Sequence, residues 1–126
     1  THHIHTVSFS ESPSLKLFSI KKLLSESVAD GIVCTDDLTA ILVLQAAKEL
    51  QIKIPEQLKV TGFDGTKLVQ IYHPELSTIV QPIEDIALLL VNVLKERIAQ
   101  PKEPLKQMQY TLPVTFLRRN STFKLN

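Results

Sequence analysis

Three aspartates stand where a parallel sheet would gather chemistry. Asp36 and Asp37 close the apolar run GIVC, and Asp64 closes the run VTGF. If these runs are neighbouring parallel strands, their carboxyl ends share one crevice, the place where open α/β sheets bind ligands. Gly62 and Gly65, two of only 3 glycines, flank Asp64. They clear side chains from beside the carboxylate and permit positive φ, so the backbone can turn sharply and leave Asp64 on an open rim. Ionised carboxylates accept strong hydrogen bonds, which suits a polyol or a sugar. A simpler role is also open, because aspartate caps helices well. Asp37, immediately before a helical stretch, is the expected cap. Asp36 and Asp64 are the expected ligand contacts, with a purely structural role open for each.

Other chemistries fit the residues less well. An acidic pair, a further Asp, Thr66 and Lys67 are the residue types of a phospho-accepting receiver, but a receiver spreads them over more widely separated strands. His2, His3 and His5 crowd the start, and strand alternation would put His3 and His5 on one face; a frayed end is the simpler account of them than a metal site. Neither G-x-G-x-x-G nor G-x-x-x-x-G-K-[ST] occurs, so no phosphate cradle is visible. Cys34, the sole cysteine, lies in an apolar run without a histidine at an informative distance and reads as a buried small hydrophobe. No cofactor is expected, and no nucleophile–base pair suggests an enzyme.

The elements that must position these aspartates alternate. HIHTVSF, from His3 to Phe9, is a β-prone run. Ser12-Pro13 starts a helix, serine capping and proline in its first turn. GIVC is a strand, a helix runs from about Leu38 to Leu50, and LKVTGF is the next strand. A helical turn covers Thr66 to Tyr72, and STIV is a strand. Pro82 opens a long helix with Ile83, Ile86, Ala87, Leu90, Val91 and Leu94 on its apolar stripe. YTL and VTFL are two strand-like pieces separated by Pro113. Strand–helix alternation with short loops predicts an α/β domain, its sheet mainly parallel and flanked by helices.

Composition sets the outer limits. With 126 residues, 44% hydrophobic and a net charge of +1, the chain can bury a core and lacks the basic footprint of a nucleic-acid-binding surface. Ile83 to Val93 is the longest apolar stretch, and Glu84, Asp85 and Asn92 interrupt it, so no membrane span is expected. The opening Thr1-His2-His3 gives no export signal and no initiating methionine. The expectation is a cytoplasmic piece of something longer.

Several stretches in order resemble the effector-binding domain of the LacI/GalR (lactose/galactose repressor) family. DGIVCTDDLTAILVLQAAKELQIKIPEQLKVTGFDG resembles its signature core of strand, Asn-Asp pair, helix and G-(F/Y)-D-D strand. HPELSTIVQPIEDIALLLVNVL is similar to its P-x-L-T-T-(v/i)-x-Q-p segment and following helix, and LPVTFLRRNST to its terminal L-P-x-x-L-x-x-R-x-S-T. The resemblance covers about residues 28 to 122.

It implies a type I periplasmic-binding-protein-like fold of two subdomains. Residues 1–81 and 112–126 would belong to the C-terminal subdomain, and 82–111 to the otherwise missing N-terminal one. The apolar stripe of the long helix would then be covered by another chain or poorly ordered. By the resemblance, Asp64 and Asp36 contact effector hydroxyls, Asp36 standing where the family usually has Asn. Phe9 and Ile83 would line the cleft. Tyr72, Gln81, Ile41 and Gln45 would lie at a homodimer interface, the last two on the exposed flank of the second helix. The implied protein is an allosteric repressor whose effector is a sugar or sugar phosphate. It would bind operator DNA through a headpiece outside this chain, with no membrane partner. Gly65 replaces the family's second Asp, a departure shared with sugar-binding proteins of transport systems, the alternative reading.

Overall fold

The computed structural model describes residues 12–26, 28–102, 104 and 109–123. The expected first strand, from His3 to Phe9, lies outside them. Eight elements follow: α1 (Pro13–Glu26), β1 (Gly31–Val33), α2 (Asp37–Glu49), β2 (Lys59–Asp64), α3 (Lys67–Tyr72), β3 (Ser77–Val80), α4 (Ile83–Ala99) and β4 (Thr115–Leu117). The sheet runs in the order β1-β2-β3-β4. β1, β2 and β3 are parallel, with Val33 beside Thr61 and Asp64 beside Val80. β4 returns antiparallel along β3, so the sheet is mixed.

Local signals explain most boundaries. The hydroxyl of Ser12 accepts from the Leu15 N–H at the start of α1, and that of Thr66 accepts from the Val69 N–H at the start of α3. Pro82 stands at the N-cap of α4, where its missing donor costs nothing. One expectation fails: residues 109–114 form no strand. A strand exists by its ladder, and no described strand pairs with this segment.

α2 is seated close because it is small where it meets the sheet. Ala40, Ala46 and Ala47 are fully buried, with Val43, beside Leu58, Val60 and Leu76. Opposite them, a Cβ on Gly62 would collide with the Asp37 carboxylate and come within 3.3 Å of the Ala40 Cβ. Ile20 and Leu24 of α1 complete the core, and Lys21 pairs with Glu49 across the two helices.

The segment after β4 locks the sheet from a distance. The Ser121 hydroxyl accepts from the Ser77 N–H at 2.8 Å and donates to the Val60 carbonyl at 2.6 Å. Ser121 also bonds Val60 and Glu75 through its backbone. The Ser77 hydroxyl meets the Arg119 backbone and the Thr122 hydroxyl. The R-N-S-T run is thus a clasp across β2 and β3. Ser121 is buried, so Ser121→Ala strands a donor and an acceptor away from water. Its expected cost is about 1–3 kcal/mol, read by chemical denaturation against the exposed control Ser25→Ala; equal midpoints would remove the clasp.

Candidate functional site

β1 and β2 are neighbours, so the carboxyl ends carrying Asp36 and Asp64 do share one rim. The acidic pair divides its work in the reverse of the expected order. Asp36, not Asp37, is the N-cap of α2: it is extended at φ −153°, and its carboxylate accepts from the Thr39 N–H at 2.7 Å. The hydroxyls of Thr39 and Thr35 donate to its other oxygen at 2.9 and 3.2 Å. Spacing alone could not tell the two apart, because Asp37 stands equally three residues before an amide, that of Ala40. Partial burial pushes the Asp36 carboxyl up, but the bonds from Thr39 and Thr35 outweigh it and hold the group below the usual carboxylate range. Asp36 therefore stays a charged acceptor at neutral pH, with some lone-pair capacity left for a ligand.

Asp37 turns inward. It is 2% exposed, accepting from the Gly65 N–H at 2.8 Å and from the Thr78 hydroxyl at 2.5 Å. No spacing rule marked this role. The signal available was Gly62, whose missing side chain makes room for that carboxylate.

Asp64 stands half-buried at the end of β2 with φ of 118°, a conformation that side chains rarely adopt. The Gln81 side-chain amide donates to its carboxylate at 2.8 Å, and the Gln81 N–H to its carbonyl at 3.3 Å. Gln70 donates to the Gly65 carbonyl at 2.7 Å and accepts from Arg119 at 3.2 Å. Gly65 has φ of 62°, and a Cβ there would lie within 2.8 Å of the Val80 Cα. Glycine therefore suits both the positive φ and the close approach of Val80 at this position.

The remaining expected residues scatter. Ile83 is 61% exposed, two residues past Gln81. Phe9 and the three N-terminal histidines lie outside the described residues, among which no His, Cys, Asp and Glu cluster could hold a metal. Tyr72 is 74% exposed beside the exposed Leu68 and Ile71. Gln81 lies with Asp64 on the rim. Gln45 is exposed and donates to Glu49 on its own helix. Ile41 is half-buried against the core rather than on an exposed flank. A shallow depression of about 320 Å³, lined by Leu44, Lys48, Ile52, Ile54, Glu75, Asn120 and Ser121, does not include the rim aspartates.

Cys34 fits none of this as a reactive group. Burial first, then the charges of Asp36 and Asp37, push its thiol up to about 12.

An open α/β sheet binds ligands at the carboxyl ends of its strands, and here that rim carries Asp36 and Asp64. Residues 4–122 match the family model for the periplasmic binding protein-like domain. The chain is 45% identical over 118 residues to the sucrose operon repressor of Pediococcus pentosaceus, covering 94% of this chain and 36% of that protein. It is 46% identical over 106 residues to the sucrose operon repressor of Streptococcus mutans, covering 84% and 32%. It thus spans about a third of the length of these relatives. A LacI family transcriptional regulator from Enterococcus faecium with bound ribose superposes with TM-score 0.69 at 30% identity, covering 84% of this chain and 39% of that one. The chain belongs to the periplasmic binding protein-like domain family, as part of the effector-binding domain of a LacI-family regulator. These relatives are repressors and regulators, which bears out the expectation of a non-enzyme.

Asp36→Ala should cost about 1 kcal/mol of stability through the lost cap, measured as a shift in denaturation midpoint. Because the folded Asp36 is more acidic than its unfolded form, its contribution is full above the unfolded carboxyl range and fades as pH falls through the folded one. The cost should therefore shrink at acid pH, leaving the part that a neutral carboxyl can still supply as an acceptor. Cys34 should resist a thiol reagent at pH 8 in the folded protein and react on unfolding; rapid native labelling would show the thiol reachable.

Proposed function

We propose that this chain is the C-terminal, hydroxyl-reading half of the effector cleft in a sugar-responsive transcriptional repressor. The observation that carries the reading is Asp64: a carboxylate on the carboxyl-end rim, in a left-handed backbone conformation, fixed by Gln81 at the end of the neighbouring strand. Strained residues of this kind persist where the surrounding structure over-determines them, commonly at ligand sites. Asp36 adds a second acceptor. Two carboxylates favour hydroxyl donors and repel phosphate, so a sugar phosphate would present its hydroxyl end here and its phosphate to the rest of the cleft.

Residues 82–111 belong, in this reading, to the partner subdomain. α4 supports it: none of its residues is buried, and Ile83, Leu88, Leu90, Val91, Leu94 and Ile98 are exposed. So apolar a face needs a cover. The remainder of the cleft and the operator-binding headpiece lie in the longer protein of which this chain is a part. Effector binding changes the angle between subdomains and biases two states of differing DNA affinity. The exposed Tyr72, Leu68 and Ile71 support a two-fold interface built around α3.

Titration calorimetry of the full-length protein with sucrose, and with ribose and lactose for comparison, tests the effector. Asp64→Asn keeps the shape and removes the charge. One charge-assisted hydrogen bond is worth about 1.5–3 kcal/mol, so sucrose binding should weaken roughly ten- to a hundredfold; unchanged binding would take Asp64 out of the site. Tyr72→Asp should convert a dimer to monomer in sedimentation, and an unchanged sedimentation coefficient removes Tyr72 from the interface.

A further inference from the structure

Resting on that reading, we propose that Asp37 is the positioning residue of the effector site, setting affinity for a hydroxylated ligand without touching it. The residues that must present Asp64 adopt two successive positive φ values, 118° at Asp64 and 62° at Gly65. Nothing within β2 holds such a turn. The bonds that do come from elsewhere: the Gly65 N–H donated to Asp37 is buried, while the side-chain bonds from Gln70 and Gln81 are part-buried. The second oxygen of Asp37 takes the Thr78 hydroxyl from β3. The carboxylate therefore fixes the end of β2 relative to both α2 and β3. Gly62 leaves the space it occupies. Asp36 and Asp37 thus serve one rim by different routes, the first as an acceptor facing it and the second as the anchor beneath Asp64.

The anchor and the ligand contact can be separated experimentally. Hydrogen exchange at the Gly65 amide and calorimetric sucrose affinity are measured on the full-length protein for four variants. Asp37→Ala should accelerate Gly65 exchange and weaken sucrose about tenfold or more, the loss expected when one charge-assisted bond stops holding the site. Gly62→Ala keeps Asp37 but evicts its carboxylate, so it should reproduce both effects and carries the test if Asp37→Ala does not fold. Asp37→Asn retains an oxygen for Gly65 and should keep exchange and affinity within about threefold of wild type. Asp64→Asn should weaken sucrose while leaving Gly65 protected. Wild-type Gly65 exchange in Asp37→Ala or Gly62→Ala, or lost protection in Asp37→Asn, overturns the proposal. If the wild type binds none of the sugars, the functional reading fails, and Gly65 exchange alone still decides whether Asp37 holds the turn.

Discussion

The Asp37 carboxylate lies against Gly62, where one added methyl group would evict it, and it reaches a backbone amide of one strand's exit and a hydroxyl of the next strand. Three elements meet at that group: the first turn of α2, the end of β2 and the middle of β3. A buried carboxylate is tolerated only when its oxygens are taken by donors, so the three elements cannot drift apart independently. The close seat of α2 on its alanines, the turn at Asp64–Gly65 and the parallel neighbours β2 and β3 are aspects of one constraint.

Local order was legible in the sequence where the physics is local. Ser12, Thr66 and Pro82 announced helix starts because capping acts over three or four residues. Parallel pairing of the strands ending at Cys34 and Asp64 followed from alternation, and it placed the rim correctly. The order of duties within Asp36-Asp37 did not follow. Both residues are good caps, and what decides between them is Thr78, forty-one positions away. Gln81 shows the same limit: its amide finds Asp64 only after β2 and β3 pair. The run 109–114 has strand-like residue types, yet a strand needs an edge that the described chain does not supply.

The apolar face of α4 and the exposed group on α3 mark different kinds of surface. α4 is exposed along most of its length, from Ile83 to Ile98, in the manner of an element that belongs to a core elsewhere. α3 offers a compact cluster of Leu68, Ile71 and Tyr72 on a six-residue helix, closer in scale to the centre of an interface between folded bodies. In the proposed reading, the first completes a domain and the second joins two of them.

The clasp at Ser121 carries a consequence for how the chain is made. Val60 and Ser77, in the interior strands, obtain hydrogen-bond partners from a residue that follows them by 61 and 44 positions. The long excursion through α4 lies between. A chain emerging from N- to C-terminus has β2 and β3 in hand well before it has Ser121, and their buried polar groups stay open to water until then. Closure across β2 and β3 thus waits until Ser121 has been made, after the excursion through α4.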